Sequence, residues 1–287
     1  ITNSVARLLV DDNSRISLSN NDSGTSNTIF GKNAGLSLDD GSNYNTFIGE
    51  NVSDASMDDA SDNVGVGYGA LGGLTTGDSN VAIGSLPLQL NTTGGNNIGI
   101  GITALRYNET GSSNVAVGSY SMRGASGQNH SNNTAVGHNS LYAITTGSSN
   151  VAMGYGALKD LADGGTNIGI GYRAGYESTS ASNNVYVGAD SGRETTTGGK
   201  NVGIGTYALV SATTALDNVA IGYQSMANVP SGQAVQNCVA IGKEALEGAG
   251  GTTTGINGAI AIGYNALTAL TTGAGNTAIG YEAMDAA

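Results

Sequence analysis

Residues that could do chemistry are few in this 287-residue chain. The histidines are His130 and His138, the sole cysteine is Cys238, and one acidic cluster holds Asp54, Asp58, Asp59 and Asp62. A nucleophile needs a base within hydrogen-bond reach, and the base needs a third group to orient it. No spacing in the chain assembles that set, and neither a Gly-Lys-Ser/Thr phosphate loop nor a GxSxG elbow is present. Gly67-Tyr68-Gly69-Ala70-Leu71-Gly72 fits the dinucleotide fingerprint GxGxxG, but no βαβ unit leads into it. The four carboxylates suit a hard cation such as calcium. They lack EF-hand spacing and no Asp recurs at a fixed position, so a solvated acidic loop is the competing reading. The chain reads as non-enzymatic and as needing no cofactor.

Composition narrows the class. With 47 Gly, 2 Pro, 2 Phe, no Trp and 11% charged residues, the chain is too poor in aromatics for an ordinary enzyme core. At 39% hydrophobic it is too apolar for a disordered linker. Net charge is −12, which should repel nucleic acid and anionic membrane. A single cysteine rules out an internal disulfide framework, and no apolar run approaches 18 residues.

The scaffold that must position any site is a repeat. Asn150-Val151-Ala152-Met153-Gly154 returns as Asn167-Ile168-Gly169-Ile170-Gly171, and the same phrase recurs about every 17 residues. Fifteen copies fill residues 27–287, so the chain is one array. Residues 1–26 carry no full copy; Arg15-Ile16-Ser17-Leu18-Ser19 alternates like a strand, which predicts an N-terminal cap or adaptor. The array stops in mid-copy at Ala287, as a piece of something longer would.

Each copy opens with Asn, apolar, small, apolar, Gly. Position 2 is Val, Ile or Thr throughout and position 4 is always apolar, so the two are expected to form a core stripe on one strand face. Position 3 is Ala or Gly in most copies, which suggests that something packs close against the opposite face. A neighbouring copy of the chain would do so at Ala82, Gly99, Ala116, Ala152, Gly169, Ala220 and Ala261. The alternative is that small residues fill a thin interior. After the Gly comes a second brief segment, a strand or turn, and then a polar loop such as Thr75-Thr76-Gly77. Stacked Asn residues should form an amide ladder between rungs, with Cys238 a small half-buried member of that column. Longer loops at Ala125–Asn132, Asn228–Asn237 and Glu247–Gly258 are places for variable surface.

Tyr follows the closing Gly in several copies. Tyr155 should stack on Tyr172, and Tyr264 on Tyr281, either as a glycan-reading strip or as cross-rung packing. Thr pairs sit in loops rather than in a Thr-x-Thr strand array, which argues against an ice-binding solenoid.

The phrases NVAIG and NVAVG, followed by a small-residue segment, resemble the head repeats of trimeric autotransporter adhesins of the YadA type. With TTG before the next Asn they look still more like repeats of bacteriophage and other viral tail-fibre proteins. The resemblance implies a left-handed parallel β-roll assembled as a homotrimer. It departs in repeat length, and no stalk, neck or membrane anchor is evident. The expected fold is therefore an all-β parallel β-solenoid of about fifteen rungs. The expected role is a structural fibre or shaft on a virion surface, presenting or contributing to host-receptor attachment. Its partners would be other fibre or tail proteins at its ends and a cell-surface receptor, with a glycan one candidate. A trimeric adhesin head at a cell surface is the alternative.

Overall fold

The computed structural model describes residues 26–228, 235–248 and 255–285. Residues 1–25 of the expected cap lie outside them, as do parts of the loops after Asn228 and Glu247. Fifteen three-residue strands, β1 (Thr28–Phe30) to β15 (Thr277–Ile279), form one parallel sheet in strict chain order. Each strand is positions 2 to 4 of a copy, where β-branched residues favour an extended backbone. Register never slips: β8 (Val151–Met153) sets Val151, Ala152 and Met153 opposite Ile168, Gly169 and Ile170 of β9 (Ile168–Ile170). No helix occurs among the described residues, hence none long and apolar enough to cross a membrane.

The two faces of each strand are the reverse of the sequence expectation. Position 3 points into the chain's own interior, and Ala82, Ala116, Ala152, Ala220 and Ala261 are all 0% exposed in a single copy. Gly99 and Gly169 are buried with them. These residues therefore cannot form a joint between chains. Positions 2 and 4 face outward, with Met153 42% exposed and Ile204 38%. The reason is width. The interior already holds the Asn of position 1 and a Leu or Met four residues past the Gly, such as Leu158 and Met226, leaving room at position 3 only for Ala or Gly.

That Leu or Met adopts a left-handed backbone conformation, with φ of 49° at Leu158 and 56° at Leu209. Such a conformation costs about 1–2 kcal/mol for an L-residue. It is offset by complete burial of the side chain and by hydrogen bonds to the next rung, such as Leu158 N–H to the Ala174 carbonyl at 2.9 Å. The second segment is thus a turn rather than a strand.

Asn of position 1 locks each rung to its neighbour as expected. The Asn133 Oδ1 accepts from the Asn150 backbone N–H at 2.9 Å and from its Nδ2 at 3.1 Å. Asn150 Nδ2 also donates to the Gly164 carbonyl at 2.9 Å, pinning the strand start to the loop end of its own rung. Cys238 is fully buried rather than half-buried, and its thiol takes over the amide's task by donating to the Ile256 carbonyl at 3.2 Å. The closing Gly is equally constrained. At Gly154, φ is +127° and a Cβ would lie 2.5 Å from the Gly171 carbonyl oxygen.

Large residues at position 3 are matched by Gly elsewhere. Tyr186 is fully buried in β10 (Val185–Val187), where Gly175 and Gly192 stand in place of the usual Leu and a Cβ at either would strike the ring. Phe47 is buried likewise beside Gly35. Tyr186→Ala should therefore cost about 3–5 kcal/mol. Adding Gly192→Leu, at a φ of +59° that Leu209 already tolerates, should recover much of the loss. Denaturant unfolding of the single and double variants checks this; a double variant no more stable than Tyr186→Ala would count against the compensation.

Candidate functional site

An aromatic and cationic face stands on the turns past the strands. One column follows the closing Gly. Tyr155 stacks on Tyr172 with ring centroids 5.5 Å apart and planes 14° apart, and Tyr264 stacks on Tyr281 at 5.1 Å and 22°. His138 extends the first stack, lying 5.5 Å from Tyr155 and nearly parallel at 4°. Tyr120 closes it edge-on at 5.6 Å. The sequence placed the two tyrosine pairs but missed His138 and Tyr120 as members of the stack.

A second column was missed altogether. It occupies the fifth residue past each closing Gly: Arg106, Arg123, Tyr142, Lys159, Tyr176 and Arg193. Tyr107 joins it, with Arg106 and Arg123 placed 5.0 and 4.9 Å from its ring centre. The Arg123 guanidinium lies 5.6 Å from the Tyr142 ring, and Lys159 lies 4.6 Å from Tyr176. Arg123 also donates to the Tyr142 hydroxyl at 3.0 Å and to the Tyr107 hydroxyl at 3.3 Å. Hydrogen bonding to Tyr176 raises the Lys159 pKa, and Asp160 pairs with the ammonium at 3.1 Å. The signal was available as cations and tyrosines recurring one rung apart. Between the columns runs a groove of about 330 Å³ lined by Tyr120, His138, Asn139, Tyr142 and Lys159.

The acidic candidates do not converge as a set. Carboxylate oxygens of Asp58 and Asp59 lie within 4.8 Å of one another and of Asp39, which sequence reading did not single out. Asp54 and Asp62 are not in that group; Asp54 borders a separate groove of about 350 Å³ with Tyr68, Gly69 and Gly72. Asp39 accepts from the Ser42 hydroxyl, which together with the Asp59 backbone N–H lowers its pKa. These hydrogen bonds tie two rungs together, and both Asp58 and Asp59 are exposed.

The segment Gly67–Gly72 is a strand end and a turn, with no helix after it to hold a phosphate. Burial pushes the Cys238 thiol pKa up, away from the thiolate that nucleophilic chemistry needs. Loop Thr hydroxyls are engaged between rungs: Thr75 donates to the Thr92 carbonyl, and Thr92 to the Glu109 carbonyl, each at 3.0 Å. Searched against family models, curated proteins and solved structures, the chain matches none.

His130, in the lengthened loop before β7 (Thr134–Val136), is 2% exposed, and neither ring nitrogen has a hydrogen-bond partner. Burial lowers its pKa from 6.5 to about 4. Below pH 6.5 the unfolded chain therefore takes up a proton that the folded chain refuses, and stability is lost as pH falls toward 4. The loss approaches roughly 3 kcal/mol at the usual 1.36 kcal/mol per pKa unit. His130→Leu should remove that component. Denaturant unfolding at pH 7 and pH 4 should show a smaller acid loss in the variant; equal losses would contradict the assignment.

Proposed function

We propose that the protein is a structural, elongated fibre segment of a phage or virus tail, a left-handed β-roll that works as a parallel homotrimer on the virion surface. Its task is to present, or contribute to, attachment to a host receptor. The observation that supports this reading is the outward apolar strip. Positions 2 and 4 place Val, Ile, Thr and Met side chains on the outside of every rung, in register along the whole sheet. At about 4.8 Å per rung the strip runs about 70 Å, and two side chains wide it exposes on the order of 500 Å². A continuous apolar patch of that size is in the range of the largest that monomers expose, and such patches often mark an interaction surface. A rod also buries little core per residue, so covering the strip would add stability on every rung.

The reading fits the uniform register, which gives a stiff rod with repeated contacts. Other fibre proteins would meet the rod at its ends. An adhesin head at a cell surface is the second reading, and the exposed aromatic columns favour it. The two readings share the trimer and differ in whether this segment itself grips a receptor.

Glu at Met153 and Ile204 should split the trimer while leaving the rung interior intact. Glu at Ala152 or Ala220 should instead unfold the rungs, because those side chains point inward. Light scattering of the unaltered chain should give three times 28.4 kDa. A folded monomer of 28.4 kDa would end the trimer reading.

A further inference from the structure

We propose that the groove between the two aromatic columns binds an anionic oligosaccharide, one whose sugars carry carboxylates. The first support is the chemistry of the wall. Tyr120, His138, Asn139, Tyr142 and Lys159 supply two phenols, an imidazole, an amide and an ammonium, and no carboxylate lines the groove. The phenol, imidazole and amide groups reach the hydroxyls of a pyranose, while the ring edges pack against its C–H groups.

The second support is where positive charge is held. Arg123 is bracketed by the Tyr107 and Tyr142 hydroxyls, and among the described residues it forms no ion pair with a carboxylate. Lys159 shares its charge with Asp160, which stands outside the groove wall. A ligand carboxylate lying along the groove would meet Lys159 and the polarised Tyr142 hydroxyl. These cations also fix the ring planes, so the platform is set before a ligand arrives.

The third support is the period. Rungs repeat at about 4.8 Å, and His138, Tyr155 and Tyr172 follow that repeat as a stacked column. An extended pyranose chain advances by about one rung per sugar, so successive units would meet successive ring edges. A single-stranded nucleic acid would need open ring faces for its bases, and neighbouring rings fill them in this column. Its phosphate at every nucleotide would also run past Asp160, Asp190 and Glu194 on this face, a denser charge than carboxylates spaced along a sugar chain, in a chain of net charge −12. The proposal does not rest on the fibre reading, since every residue it uses belongs to one chain.

The test is saturation-transfer NMR and calorimetry on the intact chain, with its oligomeric state measured on the same sample. The probes are a glucuronate-containing hexasaccharide, sialyllactose, neutral chitohexaose and a dT15 oligonucleotide. Transfer to ring C–H protons of at least one acidic sugar is expected, with affinity at least five-fold above that of chitohexaose. Tyr142→Ala should weaken binding about ten-fold and Lys159→Gln about five-fold, while Tyr264→Ala, on a stack six rungs past the groove, should leave it unchanged. Thermal unfolding followed by circular dichroism verifies that the variants fold. The proposal is overturned if neither acidic sugar shows transfer. It also fails if chitohexaose binds as well, if dT15 binds more tightly, or if Tyr264→Ala weakens binding as much as Tyr142→Ala.

Discussion

The hydrogen bond from one rung's backbone to the next, near 2.8 Å at both ends of every paired strand, is the constraint from which the rest of the structure follows. It fixes the rung spacing near 4.8 Å. At that spacing the closing residue must be Gly, because any side chain would enter the carbonyl of the rung above. The same spacing lets an Asn amide span two rungs and a loop, so one side-chain type satisfies two backbone groups per turn and pairs with the next amide. Even the left-handed Leu column is tolerable because its N–H groups are paired rung to rung.

Spacing also decides what is inside. A 17-residue turn encloses little volume, and the Leu and Asn columns fill most of it. Small residues at position 3 complete the interior, and the β-branched residues that elsewhere would build a core stand outside. Tyr186 and Phe47 are the exceptions that make the rule visible. Each enters the interior only where the Leu column gives way to Gly. Volume is conserved between neighbouring rungs rather than within each one.

Much of this was legible in the sequence. The Gly period located all fifteen strands, and the Asn column announced its ladder. The orientation of the strands was not legible, because alternation marks two faces without saying which is inside. Hydrophobicity pointed to Val151 and Met153; the narrow interior chose Ala152. The left-handed Leu was hidden because Leu carries no turn signal of its own. On the surface, tyrosines next to the closing Gly stood out. The mixed column of Arg123, Tyr142, Lys159 and Tyr176 did not, since alternating residue types conceal a shared position.

The most direct measurement of the rung-contact constraint is amide hydrogen exchange by mass spectrometry on Gly154→Ala. The added methyl should force apart only the contact with the rung that begins at Asn167. The account predicts faster exchange in peptides covering Ile168–Tyr176, where Gly171 and Arg173 donate to Met153 and Tyr155. Peptides around Val81 should keep their protection. Unchanged exchange at Gly171 and Arg173 would contradict the account.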